Sequence, residues 1–264
     1  MSVNIHPTAI IAAGAELADD VVIGPYCKVD EHVRIGSGTT LISHVVITGH
    51  TTVGKENRFF PFSSIGHEPQ DLKFHGEPSE VVIGDNNTIR ENVTVNPGTE
   101  GGGMLTRIGN NNLLMAYTHV AHDCIVCNDV VMANCATLAG HVHVDDGAII
   151  GGMSAIHQFL RVGRYAMIGG MSGIVKDVPP YCLTAGGYRP GLIGLNLVGL
   201  KRKGFTTDRI RLLKEIYRIL LQSNESLDQR VADASVLADE DQDAQHLVDF
   251  VAKSTRGLTV HGRD

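Results

Sequence analysis

Tryptophan is absent from this chain of 264 residues, and aromatic residues make up only 5% of it. A core built on bulky rings is thereby excluded. Many small packing units are favoured instead, the more so because glycine reaches 30 residues. No window approaches about 18 uninterrupted apolar residues, so no transmembrane helix and no membrane insertion are expected. The opening Met1-Ser2-Val3-Asn4-Ile5-His6 lacks the basic start and apolar stretch of a secretory signal. Basic charge is also in deficit, with 22 Lys and Arg against 29 Asp and Glu, which argues against a nucleic-acid partner. The five cysteines, Cys27, Cys124, Cys127, Cys135 and Cys182, are odd in number and scattered. Without an export signal they read as reduced thiols. A soluble cytoplasmic protein is the expectation.

What the chain does have is material for a core, 43% apolar, in an unusually regular order. Aliphatic residues recur every six positions from Ile5 through Ile11, Leu17, Ile23, Val29 and Ile35 to Val53, followed by Phe59 and Ile65. The register stops, returns at Ile83, Ile89 and Val95, stops again, and then runs from Ile108 to Ile174 without a slip. Four residues after most of these aliphatics stands a small or β-branched residue, such as Ala15, Cys27, Val45, Cys124 or Ala136, with Asn57 and Asn87 as exceptions. Glycine often follows the aliphatic directly, at Gly24, Gly36, Gly54, Gly66 and Gly109 among others, and reads as the residue of a tight backbone bend. A helix needs a period near 3.6 and an amphipathic strand a period of 2. A period of six fits short strands joined by regular corners in a solenoid.

This pattern resembles the hexapeptide-repeat family over roughly residues 1–180. The resemblance implies a mainly β protein, a left-handed parallel β-helix with three six-residue faces per coil, residue n stacking on n+18. Coils would lie about 4.8 Å apart. The breaks at about 66–82 and 96–107 are then loops projecting from a rigid scaffold, the places where function concentrates. After Pro179-Pro180-Tyr181 the periodicity changes. Thr206 or Thr207 can cap a helix, Ile210–Leu221 has helical apolar spacing, and Leu237 and the Gln245–Ala252 stretch suggest one or two more helices. The expected organisation is a β-helix over 1–188 and a C-terminal α-helical domain over 189–264.

In the 18-residue register His122 lies below Gly140 and Gln158, Asp123 lies under His141, and His157 adjoins Gln158. Three histidines distant in sequence therefore converge. Around them, His119-Val120-Ala121-His122-Asp123-Cys124, Leu138-Ala139-Gly140-His141-Val142, Ile156-His157-Gln158-Phe159, Gln70-Asp71-Leu72-Lys73 and Gly199-Leu200-Lys201-Arg202-Lys203-Gly204-Phe205 resemble one branch in particular. It is the acyl-carrier-protein-dependent UDP-N-acetylglucosamine O-acyltransferases that begin lipid A synthesis, and the likeness spans the whole chain. The resemblance implies transfer of a fatty acyl group, with a 3-hydroxyacyl chain expected, from acyl carrier protein to the sugar 3-hydroxyl, by a homotrimer without cofactor or metal. Neutral imidazole suits such proton transfer near pH 7. By the same resemblance His122 is the general base, Asp123 its orienting partner, and the Gly140 N–H the oxyanion donor. Asp71, Lys73, His119, His141, His157 and Gln158 would line the sugar–phosphate site, with Asp71 and Lys73 able to reach a neighbouring subunit. Asn196, Arg202 and Lys203 would serve the nucleotide, and a small Gly170 would border a deep acyl groove. Lys203 and Val198 depart from relatives that carry Arg and Glu there, losing a bidentate fork and one polar contact.

Geometry adds one condition. Neighbours on a flat strand point to opposite faces, so a direct contact between His122 and Asp123 needs a corner or bulge. Plainer readings stand beside these. His119, His122, Cys124 and Cys127 have zinc-like spacing, but Cys124 falls at an interior packing position, and Cys127 and Cys135 read as surface or interface thiols. Arg161, Arg164 and Lys176 read either as solubility charges or as a docking face for acidic acyl carrier protein. Asp239-Glu240-Asp241 and Asp243 read as a solvated acidic stretch. Gly101-Gly102-Gly103 lacks the strand and helix of a phosphate loop. Two other enzymes remain as alternatives: the related N-acyltransferase of the same pathway, expected to carry a further N-terminal domain, and a γ-carbonic-anhydrase-like metalloenzyme. The acceptor atom, 3-hydroxyl or 3-amino, stays open.

Overall fold

The computed structural model describes residues 3–238 and 240–261. Asp239 of the acidic stretch, and Met1 and Ser2 of the opening segment, lie outside them. Each hexad becomes a two-residue strand followed by a turn, as at Val22–Ile23, Lys28–Val29 and Arg34–Ile35. The strands pair in parallel from coil to coil, Ile23 with Leu41 and Val29 with Ile47. Among the described residues they form faces of eleven, nine and eight strands, the three walls of a left-handed β-helix. The coil step is 18 residues from Ile23 to Leu41, but 30 from Phe59 to Ile89 and 25 from Ile89 to Leu114. The surplus leaves the prism between Ile65 and Glu80 and between Val95 and Leu105.

Two positions of each hexad point inward, so Val21 with Ile23, Val45 with Ile47 and Val130 with Met132 are fully buried. Each such side chain contributes about 1.5–3 kcal/mol, and repetition makes the sum large. The two asparagine exceptions are buried as well, and they form a ladder. Asn57 Oδ1 accepts from the Asn87 backbone and side-chain amides, Asn87 Oδ1 from Asn112 N–H, and Asn112 Oδ1 from Val130 N–H. Their Nδ2 groups donate to the carbonyls of Gly84, Gly109 and Cys127. Stacking thus satisfies amides that would each cost about 1–3 kcal/mol if left unpaired.

The glycines after the aliphatics have a different role from the one expected. Of those named above, Gly66 alone has a left-handed φ, of 84°. A Cβ on Gly24 would stand 1.8 Å from the carbonyl oxygen of Ile42 on the next coil, so the residue permits close stacking. The left-handed corners are occupied mostly by other residues, among them Tyr26, His44, Asn111, Asp123 and His141.

After the last coil a strand at Cys182–Thr184 continues one wall and pairs antiparallel with Leu192–Leu195. Among the described residues four helices follow: α1 (Leu197–Arg202), α2 (Thr207–Gln222), α3 (Leu227–Ala238) and α4 (Gln242–Ala252). Thr206 caps α2 through its hydroxyl, and Ile210, Leu213, Ile216, Tyr217 and Leu220 form its buried face. The acidic stretch is not a solvated run. Asp241 caps α4, and Asp243 accepts the phenol proton of buried Tyr181 at 2.9 Å and pairs with Arg209 and Arg164. These contacts fasten the helices to the end of the solenoid.

Candidate active site

The geometric condition on His122 and Asp123 is met by a corner. Asp123 has φ 59°, which swings its carboxylate back to the His122 ring, with Nδ1 to Oδ2 at 2.8 Å. Asp123 is buried, and the second projecting loop covers it. Thr99 donates its N–H to Oδ1 at 2.8 Å and its hydroxyl to Oδ2 at 2.6 Å. Thr106 Oγ1 accepts the Asp123 N–H at 2.8 Å. Gly102 lies so close that a Cβ there would fall 1.9 Å from the Asp123 carboxyl carbon. Gly102 thus has a steric purpose, which with Thr99 and Thr106 sequence reasoning missed. The only signal for them was their position on a break in the register.

With Nδ1 engaged, Nε2 of His122 points outward, 3.9 Å from Asp71 Oδ2 on the first loop. That loop folds back on its own prism, so Asp71 reaches its own chain's His122 rather than only a neighbour's. Lys73 is exposed on the same turn, its N–H bonded to Asp71 Oδ1. Gly140 sits one coil above, where a Cβ would come 2.4 Å from His122 Cε1; any side chain there displaces the ring. Among the described residues no hydrogen bond takes up the Gly140 N–H. His141 meets His122 edge-on at 5.0 Å and stacks on Phe159 at 4.2 Å. Its Nε2 is 3.8 Å from Asp123 Oδ2. Burial, opposed by the Asp123 charge, holds the His141 pKa below the usual histidine value. His119, held by Thr94 Oγ1 at 2.7 Å, is likewise lowered, by burial first and then by His122. His157 and Gln158 are exposed on the next coil, with His157 Nδ1 3.3 Å from the Gln158 carbonyl.

The remaining expected residues stand elsewhere. Asn196 caps α1 and donates Nδ2 to the Tyr165 carbonyl at a different corner of the prism. Arg202 and Lys203 end the same helix, exposed, with Lys203 5.7 Å from the Tyr165 ring. Among the described residues none of the three touches the His122 cluster. Gly170 is exposed beside the corner column that carries Tyr117, Cys135, Met153 and Met171. Of the three docking cations, Arg161 lies over the Phe250 ring at 4.0 Å and Arg164 pairs with Asp146 and Asp243. Those two contact the helical domain, and Lys176 is exposed.

His122, Asp123 and His141 bring donor atoms within 4.8 Å of one another, enough to ligate a metal. Yet Thr99 and His122 already engage both Asp123 oxygens, an arrangement suited to orienting an imidazole. Cys124 is buried, its thiol pushed up to about 12 by burial, and it contributes no ligand.

Known proteins share this fold. The family profile described as UDP-N-acetylglucosamine O-acyltransferase, domain 2, matches residues 177–259, and that of the bacterial transferase hexapeptide matches 105–140. The crystal structure of the UDP-N-acetylglucosamine O-acyltransferase from Moraxella catarrhalis is 45% identical, covers 97% of this chain and 99% of its own, and superposes with a TM-score of 0.94. The chain belongs to the UDP-N-acetylglucosamine O-acyltransferase family. LpxA of Acinetobacter baumannii matches at 44% identity over 97% of this chain and 99% of its own, TM-score 0.94. The Francisella novicida enzyme of this family matches at 38% over 98% and 95%, TM-score 0.94. With these relatives the chain is an O-acyltransferase. No helix among the described residues is long and apolar enough to cross a membrane.

Proposed function

We propose that this acyltransferase moves a 3-hydroxyacyl group from acyl carrier protein to the 3-hydroxyl of UDP-N-acetylglucosamine, the first step of lipid A biosynthesis, in the cytoplasm. The observation that carries the reading is the His122–Asp123 contact at 2.8 Å, which fixes the ring and leaves Nε2 free beside Asp71 and Gly140. Nε2 takes the hydroxyl proton as the sugar oxygen attacks the thioester carbonyl. Asp123 stabilises the imidazolium, and the Gly140 N–H receives the developing oxyanion. Collapse breaks the C–S bond, and the imidazolium returns its proton to the departing thiolate of the carrier. Asp71, Lys73, His119, His141, His157 and Gln158 surround the sugar and its phosphates.

The nucleotide residues supply the argument for a homotrimer. Asn196, Arg202 and Lys203 sit at another corner from His122, so one substrate meets both groups only in a cleft between two chains. The exposed apolar corner of Tyr117, Met153 and Met171, beside Gly170, suits both neighbouring prisms and an acyl chain. The decisive experiment is transfer of labelled acyl groups from a panel of carrier thioesters to UDP-N-acetylglucosamine, wild type beside His122→Ala. An ester product that nearly disappears in a variant still folded as a trimer supports the reading. No product from wild type with any chain length overturns it.

A further inference from the structure

A second cluster of chemistry-bearing side chains stands away from His122, where α4 meets the solenoid. Cys127 Sγ is 3.7 Å from His143 Nε2, and that nitrogen is 2.8 Å from Asp145 Oδ1. The donor atoms of all three lie within 4.8 Å of one another. The repeat explains the convergence. His143 opens the strand His143–Val144 and Asp145 follows it directly, so the two side chains, two positions apart, share a face. Cys127, whose N–H bonds the Val144 carbonyl, comes directly beneath Asp145 on the preceding coil. From the helical domain, His246 Nε2 approaches the other Asp145 oxygen to 3.6 Å. Both of those atoms are buried, and neither makes a hydrogen bond among the described residues.

We propose that Cys127, His143 and Asp145 form a zinc-binding site, with His246 as a positioning residue that holds the second carboxylate oxygen and water filling the fourth position. Thiolate, imidazole and carboxylate are a zinc donor set. Tetrahedral zinc with Zn–S near 2.3 Å and Zn–N near 2.05 Å places sulfur and nitrogen about 3.5 Å apart. The observed 3.7 Å is close to this, while the 2.8 Å between His143 Nε2 and Asp145 Oδ1 opens to about 3.4 Å as the proton between them leaves. On binding, the thiol proton and the proton shared by His143 and Asp145 leave to solvent. Cys127 also lines an open surface cleft of about 350 Å³ with Arg107 and Asn128. Since His246 lies on α4, the ion fixes the orientation of the helical domain on the prism. The site shares no residue with the acyl-transfer centre, so it stands or falls independently of that assignment.

The test uses the full chain, stripped with a chelator and titrated with Zn²⁺ and, separately, Co²⁺. One ion per chain is expected, with a thiolate-to-cobalt charge-transfer absorption in the near ultraviolet. Cys127→Ser abolishes that absorption and the retention of zinc, with an unchanged circular dichroism spectrum showing that the solenoid is intact. His246→Gln keeps the absorption but weakens zinc binding about 10–100-fold, the usual effect of removing a group that orients a ligand. His122→Ala binds as the wild type does. Failure of the wild type to hold one ion overturns the proposal, and so does an absorption that survives Cys127→Ser. Loss of the ion in His122→Ala but not in Cys127→Ser overturns it too, placing the metal in the other cluster.

Discussion

Two histidine–aspartate pairs lie on the same prism, and they differ in what closes over them. His122 and Asp123 are adjacent in sequence, and a left-handed corner turns them face to face. A loop clamps the aspartate from behind, while the outer imidazole nitrogen stays available. His143 lies on the strand His143–Val144 and Asp145 directly after it, so the two pair without a left-handed corner between them. Cys127 closes on them from below and His246 from the helical domain. In the first pair the outer imidazole nitrogen stays free although the side chains are only 15% and 0% exposed; in the second the donor atoms face one another although the side chains are 37% and 16% exposed. A hexad repeat can thus present the same two side chains as a reactive group or as a structural joint. The non-periodic segments, the loop around Thr99 and helix α4, decide which.

The largest expected effect comes from removing the open imidazole. His122→Ala lowers kcat about 10³-fold in the acyl-transfer assay, the range for loss of a general base. His143→Ala leaves kcat within about 2-fold of wild type and costs about 1 kcal/mol in urea unfolding, because the His143 side chain is more than a third exposed and Asp145 keeps His246 beside it. Equal losses of activity in the two variants would erase the distinction between the pairs. Asp123→Asn comes next, with kcat down about 10²-fold and KM little changed, since the tautomer is lost while the substrate contacts remain. Thr99→Val tests the clamp alone, and a stability loss of about 1–2 kcal/mol is expected from equilibrium unfolding. The smallest effect is on pH. Burial lowers the folded pKa of His119, so the unfolded chain binds more protons and stability falls as pH drops below the ordinary histidine value. The urea midpoint of wild type should fall between pH 7.5 and 5.5 more than that of His119→Asn.

Much of the first pair was legible in the sequence, because stacking at 18 residues is arithmetic once the period of six is seen. That arithmetic places Gly140 over His122 and His141 over Asp123. It could not supply Thr99, Gly102 or Thr106, which reach Asp123 from residues outside the hexad register. Nor could it assign Asn196, whose side chain caps α1 and bonds Tyr165. The acidic stretch misled for a similar reason. Asp243 looks like a surface charge until the chain's end folds back onto Tyr181. In the second pair, Cys127 read as an ordinary thiol because its neighbours in space lie 16 and more residues away.

The sequence by itself determined the β-helix, its interior rows, the places where loops must leave it, and the convergence of the histidines. Those follow from local rules: side-chain direction alternates along a strand, and a fixed coil length converts spacing into stacking. Only the tertiary structure decided which nitrogen of His122 is free, that Asp71 returns to its own chain's site, that Arg161 and Arg164 support helices, and that Cys127, His143 and Asp145 meet beside His246. Each of these depends on non-periodic segments packing against the prism, and the direction a loop or helix takes on leaving a solenoid is set by contacts that no repeat encodes.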